Sequence, residues 1–160
     1  MCEKSVNGKN VIIIYGVITM SKRTDELAYE LENSGSIHSY MEANAHEFDD
    51  KNFYSFLSTL ITDSGKPKTT IVADSCISEP YLYNLLRGEK RPTRNSVIKL
   101  AFGLELSLET TERFLMLAGY RNFYERHKRD SLLKYAFLNN MNILEADNLL
   151  VEYGFSVMTE

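Results

Sequence analysis

Apolar residues return at helical spacing over most of this chain. In "NFYSFLSTLITDSG", Phe53, Phe56, Leu57, Leu60 and Ile61 follow the i, i+3, i+4, i+7, i+8 pattern of an amphipathic helix with one core-facing side. Asp49 or Asp50 stands where its cap belongs, and Gly65 where it should stop. Upstream, "TDELAYELENSG" spaces Leu27, Ala28 and Leu31 for a short helix that stops at Gly35, and "SIHSYMEANAHEF" continues with Ile37, Tyr40 and Met41. Both are acidic. The exception to helical spacing is "VIIIYGVI", Val11 to Ile18, whose β-branched run reads as a short buried strand or as the core of a secretory signal, although no A-x-A site follows it. The genetic code offers a third reading. Gly16-Val17 can be encoded GGA-GUG, which sets a ribosome-binding GGAG shortly before Met20; Met20 is then the natural start and residues 1–19 a translated leader.

The middle of the chain is a tight series of short elements. "KTTIVADS" gives a helix with Ile71 and Val72 inward, "CIS" a turn, and "EPYLYNLL" a second helix capped by Ser78. Arg87-Gly88 closes it, and the polar loop "EKRPTRN" leads into "SVIKLAFGL". Two short helices joined by a few residues, the second followed by a basic loop, have the sequence form of a helix-turn-helix. With Ser78 as N-cap, Leu82, Leu85 and Leu86 form the inner face, leaving Glu79, Pro80, Tyr83, Asn84 and Arg87 outward. Proline is tolerated in a first turn because its missing N–H has no intrahelical partner there.

The last third contains a repeat. Residues 94–120 align without gaps to residues 129–155 at an offset of 35, with Arg94/Arg129, Ser96/Ser131, Lys99/Lys134, Ala101/Ala136, Phe102/Phe137, Leu115/Leu150 and Gly119/Gly154 identical. Each copy reads as a helical hairpin with a cap, Ser107 or Asn142, and a stop glycine. The second hairpin is expected to pack beside the first and extend one core.

Charge sharpens the picture. The formal net charge of the 160 residues is −4, yet residues 66–95 carry 6 Lys/Arg against 3 Asp/Glu. That local excess matters more than the total where a surface meets phosphate. Lys66, Lys68, Arg87, Lys90, Arg91 and Arg94 are the candidate phosphate clamps, and Glu79, Pro80, Tyr83 and Asn84 the candidate base readers. A second basic run, "RNFYERHKRD", reads as the solvated connection between the hairpins, with Phe123 or Tyr124 tucked under it. Cys2 and Cys76 have no CxxC spacing, which suggests neither disulfide nor zinc and fits a reducing cytoplasm. No apolar run reaches the ~18 residues of a membrane span. His38, His46 and His127 lack metal-site spacing, and neither a glycine-rich phosphate loop nor a G-x-S-x-G elbow occurs, so no enzyme activity, metal or cofactor is expected.

On the I-S entry, the Tyr81-Leu82 pair, the Arg87-Gly88 closure, the K-R-P loop and the "IKLAFGL" and "LSLETTERFL" helices, the middle of the chain resembles the Cro/phage-repressor-like (XRE) helix-turn-helix family. From about Thr24 to Phe155 it is similar to a bacterial XRE subgroup with an acidic N-terminal extension and a further hairpin after A-G-Y. The resemblance implies an all-α fold with a five-helix bundle over about residues 50–119. The expected organisation is a leader or short extension at 1–19, an acidic helical extension at 20–48, the helix-turn-helix domain at 49–120, and a linker with an appended hairpin at 121–160. It also implies sequence-specific binding of double-stranded DNA by a homodimeric, repressor-like transcriptional regulator, nucleoid-associated when bound. The sequence departs from the family at Pro67-Lys68, where S/T-Q is usual and Lys68 can substitute in the backbone contact, and at Cys76, where the turn lacks a left-handed glycine. The rival reading is a protein-interaction module on the same fold, with a partner bound through residues 20–48 or 131–155.

Overall fold

The computed structural model describes residues 4–6, 9–14, 17–20, 22–45, 47–48 and 52–159. The chain divides into two compact units, 1–50 and 51–160. In the first unit Lys4–Val6 (β1), Lys9–Ile14 (β2) and Val17–Met20 (β3) form an antiparallel sheet in that order. A single buried strand is one expectation for Val11 to Ile18. The structure instead divides the run between β2 and β3, and it pairs with itself, Ile13 opposite Ile18 and Ile14 opposite Val17. That pairing satisfies the backbone donors and acceptors of the run locally.

From Thr24 onward the described chain is all-α. Helices α1 (Thr24–Glu32) and α2 (Ile37–Ala43) complete the first unit, and α1 has no buried residue. Lys22 links them: its ammonium donates to Glu30 Oε2 at 2.8 Å and to Asn44 Oδ1 at 2.8 Å. That ammonium holds the Glu30 carboxyl below the usual carboxylate range.

The second unit holds α3 (Phe53–Ser64), α4 (Lys68–Asp74), α5 (Glu79–Leu86), α6 (Arg94–Gly103), α7 (Leu108–Leu117), α8 (Lys128–Leu138) and α9 (Ile143–Glu152). The cap of α3 is Asn52, whose Oδ1 accepts from Ser55 N–H at 3.0 Å. Asp49 and Asp50, expected there, lie outside the described residues. The periodic residues face inward as the pattern predicts: Phe53, Phe56, Leu57 and Ile61 join Ile71, Leu82, Leu85, Phe114 and Leu115 in one core, which continues into the second hairpin through Leu133, Ala136, Phe137 and Leu150.

The repeat is a structural one. Helices α7 and α9 begin and end at positions 35 apart, their caps Ser107 and Asn142 bind backbone N–H groups alike, and Gly119 and Gly154 close them at φ 83° and 80°. It runs further than the sequence alignment, because Phe123 and Met158, also 35 apart, are both buried plugs after their hairpins. Asp147 fixes the last plug by accepting from Met158 N–H (2.7 Å), Thr159 N–H (3.1 Å) and Thr159 Oγ1 (2.7 Å).

The two copies meet about a local dyad. The equivalent rings of Phe102 and Phe137 stack on each other, centroids 4.2 Å apart and 15° from parallel. Arg94 bonds Asp130, while Arg129 bonds Asn95, the residue equivalent to Asp130. Helix α6 packs on α9 and α7 on α8 in the same reciprocal way.

One close approach distinguishes the copies. A Cβ on Gly103 would lie 1.9 Å from Ser75 Oγ and 2.8 Å from Ser75 N, so α6 touches the end of α4 backbone to backbone. Its equivalent in the second copy is Leu138, which is 63% exposed. Gly103→Ala should therefore destabilise the unit by about 2–3 kcal/mol, as overpacking against an unyielding neighbour does. Leu138→Ala should change stability by less than about 0.5 kcal/mol. The urea unfolding midpoints of both variants check this.

Candidate nucleic-acid interface

Helices α4 and α5 are joined by Ser75–Ser78. In the turn that lacks a left-handed glycine, Cys76 takes that conformation itself, at φ 48°. Cys76 N–H bonds Ala73 C=O at 3.1 Å and Ile77 N–H bonds Val72 C=O at 3.3 Å, which closes α4 and offsets a steric cost of about 1 kcal/mol. Ser78 occupies the cap position of α5 without a side-chain bond, and Pro80 sits in the first turn.

Leu82 and Leu85 are fully buried, which turns the opposite side of α5 outward. Glu79, Pro80, Tyr83 and Arg87 are exposed and Asn84 half-buried, at spacings that put all of them on one strip. Glu79 has no hydrogen-bond or ion-pair partner among the described residues and stands at the positive end of the helix dipole. Asn84 and Arg87 are joined: Arg87 Nη2 donates to Asn84 Oδ1 at 2.6 Å, and the guanidinium grips Glu89 through Nε at 2.8 Å and Nη2 at 2.9 Å. Arg87 holds the Glu89 carboxyl below its ordinary range.

Two lysines flank α5. Lys68 Nζ lies 5.1 Å from the Tyr83 ring centre and Lys90 Nζ 5.4 Å from that of Tyr81. Tyr83 belongs to the outward strip and Tyr81 is half-buried, two positions before it, so the two ammonium groups lie over different rings of α5. The loop carrying Lys90 and Arg91 is pinned at its backbone, with Tyr54 Oη donating to Lys90 C=O at 3.4 Å and Tyr120 Oη to Pro92 C=O at 2.8 Å. Arg91 is exposed and has no hydrogen-bond partner among the described residues.

The other two candidate clamps are engaged inside the fold. Lys66 donates to Glu105 Oε1 (2.7 Å), Gly103 C=O (3.1 Å) and Asp74 Oδ2 (3.3 Å), tying the end of α4 to the end of α6. Glu105 and then Asp74 raise its pKa despite partial desolvation. Arg94 makes a two-pronged bond to Asp130, at 3.0 and 3.1 Å, with Asp130 only 2% exposed and the Phe123 ring 5.4 Å from the guanidinium carbon. The sequence contains a signal for this. Arg94 recurs as Arg129, where no helix equivalent to α5 precedes it, and a residue that repeats with the hairpin belongs to the hairpin. In the second basic run Phe123 is the buried plug and Tyr124 is 49% exposed. No tyrosine anchor and no lysine–ring pair is visible in the sequence, because each joins residues that only the fold brings together.

Arg94→Ala strips a buried carboxylate of its counter-charge and should cost about 3 kcal/mol in chemical unfolding, whereas Arg91→Ala should stay within about 0.5 kcal/mol. Because the folded pKa of Lys66 is raised, its contribution is complete below the ordinary lysine value of about 10.4 and is lost as pH rises through the folded value. Lys66→Met should make the alkaline decline in stability shallower. It should not abolish it, since Glu125 raises Lys134 in the same direction.

Compared with protein-family models, curated proteins and solved structures, the chain matches none.

Proposed function

We propose that the second unit is a helix-turn-helix body of the Cro/phage-repressor-like type that binds double-stranded DNA, with α5 as the major-groove helix of a repressor-like transcriptional regulator. The observation that carries this reading is the outward strip of α5, Glu79, Pro80, Tyr83, Asn84 and Arg87, with Lys68 over the Tyr83 ring and Lys90 over the Tyr81 ring. A helix seated in the groove has a phosphate backbone on each side, where these ammonium groups and Arg91 would release counterions. Glu79, without a partner among the described residues, is free to accept from cytosine N4, and Asn84 to pair with adenine once Arg87 turns from it to a phosphate.

Two half-sites call for two chains. The hairpin at 131–155 supports a homodimer surface: Tyr135, Leu138 and Tyr153 are 51%, 63% and 61% exposed, whereas their first-copy equivalents Leu100, Gly103 and Ala118 are buried. A second reading, a protein-interaction module, draws support from the Asn84–Arg87–Glu89 bonds, which occupy part of the reading strip from within.

Binding to random duplex DNA across a salt series separates the two. On the DNA reading, Lys68→Ala, Lys90→Ala or Arg91→Ala each makes the log–log slope shallower by about 1, and Lys66→Ala leaves it unchanged. Glu79→Gln broadens the sequences selected from a random library without altering the slope. Absence of binding at low salt defeats the DNA reading and leaves the interaction module.

A further inference from the structure

The turn between α4 and α5 and the turns of both hairpins enclose a cleft of about 590 Å³, within the range of small-molecule sites. Three pairs of equivalent positions, 102/137, 105/140 and 106/141, line it. The stacked Phe102 and Phe137 contribute to its lining together with Leu106 and Met141, so both copies supply the same positions. Its rim collects Cys76, Glu105 and Asn140, at φ 48°, 53° and 51°, the three left-handed residues other than glycine in the described chain. Each closes the helix before it through paired backbone bonds, so three helix ends converge on the opening. The electrostatics are one-sided: Asp74 and Glu105 line the cleft, no lining residue is basic, and the single ammonium of Lys66 bridges both acids, which leaves one negative charge in excess.

We propose that this cleft binds a small organic cation, an amine on a flat apolar body. The apolar part lies among Phe102, Phe137, Met141 and Leu144, and the ammonium meets Glu105, Asp74 and the side-chain amide of Asn140. The site is independent of whether α5 reads DNA.

The chain contains no tryptophan, so the fluorescence anisotropy of an indole probe reports binding without protein background. Tryptamine should bind saturably and about tenfold more tightly than tryptophol, which has the same ring system without the charge, with indole-3-acetate weaker still. Glu105→Gln alone leaves Asp74 balanced by Lys66 and should bring tryptamine and tryptophol to equal affinity. Leu144→Lys, at a position 61% exposed and therefore benign to the fold, should abolish tryptamine binding. In a Cys2→Ser background tryptamine should also slow alkylation of Cys76. No saturable rise in anisotropy, equal binding of tryptamine and indole-3-acetate, unchanged affinity in Leu144→Lys, or an unchanged Cys76 alkylation rate would each overturn the proposal.

Discussion

The helical body depends on the near-complete burial of α6. Seven of its residues, Ser96, Val97, Ile98, Leu100, Ala101, Phe102 and Gly103, are withdrawn from water, so the helix must find neighbours on almost every side. Each neighbour is admitted by a different side chain. Gly103 lets α4 come to backbone contact, Phe102 receives its equivalent from α8, and Arg94 at the first turn reaches the carboxylate that begins the second copy. Once α4 is fixed in this way, the short turn through Cys76 leaves α5 little choice of direction. It buries Leu82 and Leu85 and turns its other strip to solvent.

This hierarchy explains what could be read from the sequence. Periodicity, stop glycines and the offset repeat are local signals, and α3 to α9 follow from them within a residue or two. The outward strip of α5 follows as well, because Leu82, Leu85 and Leu86 mark its inner face, with Leu82 and Leu85 buried and Leu86 packed against the core. The cations were harder to sort. Lys66 and Arg94 have the composition of a clamp, but their partners lie 39 and 36 positions away, at Glu105 and Asp130, and no window of neighbouring residues displays such a pairing. Asn52 caps α3 because its amide, next to the first helical residue, accepts from the free Ser55 N–H. At Cys76 the turn lacks the usual glycine, and two backbone hydrogen bonds and a packed neighbourhood hold a cysteine in the left-handed conformation instead.

The same sorting changes the character of the basic surface. A cluster of six cations suggests a broad, indifferent grip on polyanions. With two drawn into the fold and Arg87 shared with Glu89, the remaining groups are Lys68 at the start of α4 and Lys90 and Arg91 on a loop whose backbone two tyrosines hold. Fewer charges in fixed places favour register over bulk attraction.

The local dyad also has a consequence for synthesis. Its two halves leave the ribosome in order, and Phe137 follows Phe102 by 35 residues. At ordinary elongation rates that is an interval of about 2–7 s, far longer than a helical hairpin needs to close. During it the nascent chain holds half of a symmetric interface, an aromatic face whose twin has not yet been made.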